Sequence, residues 1–471
     1  MMFKPTPVAH AVALVLIAPW LAAQAQQAPS SAASAADAAK PPPARATTLE
    51  VVTVTGIRAS REQSLAAKRN ADSVVEVVTA EDIGKMPDKN VADAIQRIPG
   101  VNTSSAAGGE GGFDENDRVS IRGTSPSLTQ TLINGHSVAT GDWFILDQFQ
   151  TVGRSVSFTL LPSELVGKVT VHKSATADLV EGGVAGAINI ETRKPLDFRK
   201  PFTAEVSAQA VYADLPKKYD PQLSALFNWK NEANSTGVLL QLFSETRHVR
   251  RDGQEILGYV TIDPKLDPVT NLPTNPVVLA YPQLAGVAAP DLMGAALFTQ
   301  TRKRDGGSID VQVKPNSSLT LDLNALYSRL GAENYNRNFM AWPSNLLNAG
   351  GVVPTSIDLR NGTLVGAKFP IQNATPAGVV DDITRPGASA ETWYLDFDTK
   401  LRVTDRLTVT TQLGYTRGVG KTSSQPAYEG NLNNAGLNYS MNGLSSPATV
   451  SFPGLDPSTF SGVTTGWIWD S

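Results

Sequence analysis

From Phe202 the chain alternates apolar and polar residues with a period of two. Phe202, Ala204, Val206, Ala208, Ala210 and Tyr212 stand against Thr203, Glu205, Ser207 and Gln209. Leu223, Ala225, Phe227 and Trp229 repeat the pattern against Gln222, Ser224, Asn228 and Lys230. Val238, Leu240 and Leu242 predict a third strand, whose facing the pattern leaves open. Ile309, Val311 and Val313 predict a fourth, and Leu319, Leu321, Leu323, Ala325 and Tyr327 a fifth. Trp393, Leu395, Phe397, Leu401 and Val403 make a sixth; Leu407, Val409, Leu413 and Tyr415 make a seventh. Strands of about ten residues with one apolar face fit a membrane β-barrel. A soluble sandwich also alternates.

The connections separate the two. Short links at Asn231–Ser235, Pro315–Ser318 and Thr404–Arg406 alternate with long ones at about 247–307, 329–391 and from 418 onward. After the first hairpin, every long link therefore leaves the same end of the sheet, as in barrels with tight periplasmic turns and long outer loops. Long stretches without structure are otherwise uncommon in compact domains. Tyr212, Trp229, Tyr327, Trp393 and Tyr415 lie near strand ends, where aromatic girdles sit.

Upstream the period changes. Leu65, Ala66 and Arg69 predict a short helix and Val74 to Val78 a buried strand. Thr79 with Asp82 has the spacing of a capping box. Val91, Ala94, Ile95 and Ile98 recur at helical spacing up to Pro99-Gly100. Strands are expected at Arg118 to Arg122 and Thr131 to Asn134, and SSAAGGEGGFDEND (104–117) reads as an acidic loop. Two further strand patterns, Val166/Val169/Val171 and Ala187/Ile188/Ile190, flank a turn containing Gly182, Gly183 and Gly186. Residues 58–194 thus form a mixed α/β domain.

The first residues bear on compartment. Val12 to Leu21 is an apolar run of signal-peptide length, and Ala23-Gln24-Ala25 predicts cleavage after Ala25. The Ala-, Ser-, Pro- and Gln-rich stretch that follows cannot bury a core and is expected to be a tether, 26–57. At its end, TLEVVTVTG (48–56) is either the first strand of the next domain or a free strand offered to a partner's sheet edge. Cysteine is absent, which excludes disulfides, thiol nucleophiles and Fe–S ligation. The four histidines, at 10, 136, 172 and 248, have no metal-ligand spacing. A net charge of −4 without a basic stripe argues against nucleic acid.

These residues together resemble the TonB-dependent outer-membrane receptors, from about Thr48 onward. TLEVVTVTG resembles the TonB box. DKNVADAIQRIPGV, RVSIRG, TQTLINGHSV and KVTVHKSATADLVEGGVAGAINIETRKPLDF resemble plug motifs in the order expected. The resemblance implies a monomeric 22-stranded barrel filled by an amino-terminal plug, and energy-coupled import rather than catalysis. Thr48, Leu49, Glu50, Val51, Val52, Thr53 and Val54 would pair with TonB, which works with its inner-membrane energising complex. Arg122, Gly123, Gly182 and Gly183 would shape the plug, with Arg122 reaching inward carboxylates of the barrel such as Glu205. Asp114, Glu115, Asp142, Trp143 and Phe144 are the expected contacts for a small nutrient, Trp143 offering a stacking face. The wording is similar to a branch that takes up oligosaccharides, with siderophores or other metal chelates as the alternative cargo. No cofactor is expected, and the outer face should meet outer-membrane lipid.

One departure bears on closure. Seven strands with 195–471 as barrel cannot close, since single-chain bacterial barrels have even counts. Those seven occupy about 270 residues, so twenty-two need roughly 850. TTGWIWDS is expected in an outer loop, and the chain reads as an amino-terminal fragment that does not transport alone. A passive porin or adhesin would explain the strands but not the plug motifs. A glycosidase would need a carboxylate pair at fixed spacing, which the sequence does not supply.

Overall fold

The structure is a computed structural model. It describes residues 56–79, 90–105, 116–142, 155–177, 179–372, 374–443, 445–455 and 463–470. The expected signal peptide 1–25, the expected TonB-box segment 48–54, Asp82, Asp114, Glu115, Trp143 and Phe144 lie outside the described residues.

The amino-terminal part begins with α1 (Gly56–Arg69), which starts two residues inside the expected tether and is longer than the short helix read from Leu65. It continues through β1 (Val75–Thr79), α2 (Val91–Ile95), β2 (Val101–Ser105), β3 (Asn116–Ile121), β4 (Thr129–Ile133), β5 (His136–Ser137), β6 (Val166–His172) and β7 (Gly186–Thr192). Asn90 caps α2 by accepting from the Asp93 amide at 3.1 Å, which satisfies one of the helix's open donors. The helical-spaced Val91, Ala94, Ile95 and Ile98 are all buried. The sheet order is β1-β6-β7-β4-β5, with β2 and β3 as a separate hairpin. Within this sheet β4 and β7 run parallel and the other described pairs antiparallel.

The wall follows as β8 (Phe202–Ala213), β9 (Lys218–Lys230), β10 (Thr236–Ile256), β13 (Met293–Asn316), β14 (Leu319–Ala341), β17 (Gly378–Arg385), β18 (Ser389–Arg402), β19 (Thr408–Lys421), β20 (Gln425–Leu432) and β23 (Val463–Asp470). Between these lie the shorter strands β11 (Tyr259–Thr261), β12 (Ala288–Pro290), β15 (Ser356–Arg360), β16 (Thr363–Phe369), β21 (Leu437–Ser440) and β22 (Thr449–Ser451). The wall's main path is β23-β20-β17-β14-β13-β10-β9-β8, with β18 on β14 and β19 on β18, and it does not close on itself. β14 pairs β18 along its first half and β17 along its second, so β17 and β18 share one strand position. β20 continues β19 in the same way, and the ten segments fill eight positions.

The eighth position corrects the count of seven. Val463–Asp470 pairs with Gln425–Leu432 residue for residue rather than lying in an outer loop. Its Trp467-Ile468-Trp469 run has no period-two pattern to betray it. The long links are also shorter than expected. β10, β13 and β14 run for 21, 24 and 23 residues, well past the apolar stretch. Beyond that stretch Arg250, Lys303, Arg329 and Glu333 stand exposed outward, so the alternation vanishes while backbone pairing continues. The remaining loops build a six-stranded sheet ordered β11-β12-β16-β21-β22, with β15 on β16, around a core that includes Ile262, Val277, Leu284, Leu346, Leu364 and Leu437.

Facing follows strictly from parity. Leu240 and Leu242 point out of the wall, whereas Leu239, Gln241 and Phe243 are buried inward. The outward set includes Phe202, Val206, Tyr212, Leu223, Phe227, Trp229, Ile309, Leu323, Leu395, Phe397 and Leu413, all exposed. From Phe202 to Tyr212 the strand rises about 33 Å, or about 25 Å of height at a tilt near 40°, which is the apolar band of an outer-membrane barrel. Phe202 and Trp229 pair across β8 and β9 at the lower border. Tyr327 and Trp393 pair across β14 and β18 at the upper one, with the Trp393 and Tyr415 rings 5.0 Å apart.

The mixed unit is seated on the inner face of the wall. Its core of Phe158, Val166, Val169, Val171, Ile188 and Ile190 is continuous with Phe243, Leu326 and Tyr394 from β10, β14 and β18. Two cations complete the seat. Lys194 Nζ lies 2.8 Å from both Asp310 and Asp322. His136 Nε2 meets Asp398 at 2.7 Å, with Asp396 3.8 Å from Nδ1. Asn324 donates to Asp310 at 2.9 Å and Gln312 to Asp322 at 3.2 Å. Burial would lower the pKa of Lys194, but Asp310 and Asp322 outweigh it and hold the amine above its ordinary value. The bond to Asp398 raises the imidazole of His136 against the opposing effect of burial.

Replacing Lys194 with Met leaves Asp310 and Asp322 facing each other with no cation, and should destabilise the seated unit by about 3 kcal/mol in denaturant unfolding. His136 is raised in the folded state, so its contribution is complete below its unfolded pKa near 6.5 and is lost as pH climbs through the raised value. Protease resistance of residues 56–194 should therefore fall as pH rises above about 6.5, and H136Q should flatten that dependence.

Candidate functional site

The turn after β3 is built as the RVSIRG motif suggests, but it serves a different contact. Arg122 and Gly123 take left-handed backbone, at φ 59° and 68°. The Arg122 amide donates to Gly100 at 2.7 Å and the Gly123 amide to Asn102 at 3.0 Å. The Arg122 guanidinium donates to the Lys173 carbonyl at 2.6 Å and ties the β3 turn to the end of β6. It does not pair with Glu205, whose side chain is 62% exposed on β8 with Arg193 at 3.8 Å. The expected contact between Arg122 and the wall is thus replaced by one within the mixed unit. The plug cations that reach wall carboxylates include Arg193, on Glu205, and, more closely, His136 and Lys194, which lie in TQTLINGHSV and TRKP, where none stands out from its neighbours by pattern. Gly182 and Gly183 form the turn before β7, and a Cβ on Gly183 would sit 2.6 Å from the Gly186 carbonyl.

Of the five expected nutrient contacts, Asp142 is described. It is already engaged: Arg118 Nη2 meets its carboxylate, and Arg118 Nη1 lies 3.0 Å from Asp117. Asp117 in turn accepts from the Ser157 hydroxyl and, at 3.4 Å, from the Thr159 amide. Burial pushes the Asp142 carboxyl above its ordinary pKa, with Arg118 opposing. The arrangement holds residues 139–142 against residues 155–159, at the point where the chain leaves for Trp143 and Phe144.

A second set was not legible, because the fourth strand was read only from Ile309. On β10, β13 and β17 the inner wall carries Arg247, Arg302, Arg304 and Arg385. Arg247 pairs with Arg302 in register, and Glu245 with Arg304. Arg304 donates to the Thr159 carbonyl at 2.7 Å and to Glu245 at 2.6 Å. Arg385 donates to Gln425 at 2.7 Å and to Asn334 at 3.2 Å, and Arg302 donates to Gln300. Arg302, Arg304 and Arg385 are buried. The inner wall is thus divided: aspartates hold the seat below, guanidiniums and amides surround the unit's apex. Guanidiniums bind carboxylate and related oxyanions through paired donors. The alternation that could have revealed them is Gln300, Arg302, Arg304 against Thr301 and Lys303.

Residues 67–187 match the family model described as TonB-dependent Receptor Plug Domain. The ferric enterobactin receptor PirA of Pseudomonas aeruginosa is 33% identical over 151 residues, covering 30% of this chain and 19% of that protein. A probable TonB-dependent siderophore receptor PirA of Acinetobacter baumannii is 33% identical over 161 residues, covering 32% and 19%. The vitamin B12 transporter BtuB of Photobacterium profundum is 26% identical over 125 residues, covering 26% and 18%. The matched stretch is thus less than a fifth of each relative. Among solved structures, the siderophore receptor PirA of A. baumannii overlays with a TM-score of 0.31 at 14% identity, over 80% of this chain and 62% of that one. Residues 67–187 are thus a plug domain of the TonB-dependent receptor type, shared with outer-membrane receptors, and the plug is seated on an open strand wall with an apolar outer belt.

Proposed function

We propose that the chain serves energy-coupled import across the outer membrane, with an anionic metal chelate of siderophore type as the cargo. The observation that carries this reading is a plug fastened to the inner wall by Lys194 and His136 on four aspartates. A lumen held shut by buried ion pairs opens only when work is done on it. The outer membrane has no ATP, so that work comes from the inner membrane through TonB. Residues 1–25 act as signal peptide, 26–57 as tether, 58–194 as plug and 195–471 as barrel. Ligand contact with Asp114, Glu115, Asp142, Trp143 and Phe144 shifts the plug toward states that release Thr48 to Val54. That segment then adds a strand to the TonB sheet edge.

For the cargo, two considerations favour a chelate over the oligosaccharide expected from sequence. Two relatives at 33% identity are named for ferric enterobactin and for a siderophore. Arg247, Arg302, Arg304 and Arg385 also place guanidiniums on the inner wall, two of them beside Glu245, and guanidiniums are donors suited to oxyanions rather than to a neutral sugar.

The purified full chain should bind a ferric tris-catecholate, measured by quenching of tryptophan fluorescence, and an excess of neutral oligosaccharide should not compete. Preferential binding of the oligosaccharide would reverse the cargo assignment. Separately, V51P removes a strand amide donor and should weaken capture of the chain by the TonB carboxy-terminal domain at least about tenfold. Unchanged capture would remove residues 48–54 from the coupling.

A further inference from the structure

Residues 136–142 of the plug run along the inner face of β19. By parity that face presents Gln412, Gly414, Thr416, Gly418 and Gly420, while Leu413 and Tyr415 point outward and are exposed. Three of these five positions have no side chain, and the plug backbone occupies the space. A Cβ on Gly418 would fall within the Thr140 backbone, and one on Gly420 within that of Asp142. A Cβ on Gly414 would lie 2.6 Å from Asp396 Oδ1 and 2.8 Å from His136 Nδ1. The approach is mutual, since a Cβ on Gly141 would enter the backbone at Val419 and Gly420.

The fit is also fastened. The Ala139 amide donates to the Thr416 hydroxyl at 3.0 Å, and the Ala139 carbonyl accepts from Thr392 on β18. Both backbone groups of one plug residue are therefore satisfied by wall side chains. His136 and Asp398 close the lower end. Asp142 and Arg118 close the upper end, beside the expected nutrient contacts. Beside Gly135 an open cleft of about 750 Å³ lies between plug and wall, lined by Asn134, Gly135, Lys194, Asp322, Asp398 and Gln412. That volume is within the range of small-ligand clefts.

We propose that residues 136–142 form a strap that releases from β19 separately from the plug core, and that this strap is the gate between the plug apex and the cleft. The inference rests on the import reading. It differs from unseating the plug, because the strap's hold on the wall is through hydroxyls, one imidazole and close backbone packing, while its lower end stays on the plug core, where His136 and Ser137 pair with β4 and Val138 packs on the cluster of Val169, Val171 and Ile188. Ligand drawing on Asp142 would lift the strap from its upper end, leaving β6 and β7 paired.

The chain has no cysteine, so single cysteines report cleanly. A139C reports on the strap and V171C on the plug core, each in the full chain in detergent with a maleimide probe. Adding G418A or G420A should raise labelling of A139C at least about tenfold while V171C stays within about twofold. T392V with T416V removes only the fastening hydroxyls and adds no bulk, and should raise A139C labelling in the same direction. A parallel rise at A139C and V171C would show that strap and core move as one, and no rise at either would show that β19 does not hold the strap. Either result overturns the inference, and neither bears on chelate binding or TonB capture.

Discussion

Everything in this chain depends on a constraint of the bilayer: backbone amides and carbonyls there must pair within the protein, because no water reaches them. Wall strands satisfy that need by continuous antiparallel pairing, and pairing in turn imposes parity. Each residue faces either lipid or lumen, with no intermediate choice. That is why Leu239 and Leu240, identical neighbours, have opposite surroundings.

Parity then makes the plug possible. The inward positions carry buried Phe243, Leu326 and Tyr394, which extend the plug's own core. They also carry the aspartates that receive Lys194 and His136 and the arginines that surround the apex. Core packing between plug and wall gives adhesion without direction. The ion pairs and the close backbone fit along β19 give position, since each tolerates little displacement. A seated plug of this kind combines a firm core with locally fastened edges, which suits a gate that must hold and then yield.

The outer loops follow another logic. Above the apolar band the strands continue to pair although both faces turn polar, and the remaining loop segments fold onto one another around Ile262, Leu284 and Leu364. The outer end is therefore a packed cap rather than a set of separate loops.

The sequence by itself determined the elements whose cause is local. Period-two alternation marked the lipid-facing strands, helical spacing marked Val91 to Ile98, and the plug motifs identified the family. Strand extension past residue 243, the pairing of Val463–Asp470 and the outer sheet were decided only by tertiary structure, because hydrogen bonds from neighbouring strands sustain them without an apolar pattern. The same holds for the seat. Arg122 was the conspicuous cation, yet His136 and Lys194 reach the wall. Likewise Gly418 and Gly420, which the pattern puts in the long link from 418 onward, belong to β19 and lie against the plug backbone. Which charge meets which, and which glycine gives way to a backbone, depends on distances across the lumen between residues more than a hundred positions apart, and no pattern along the chain encodes those distances.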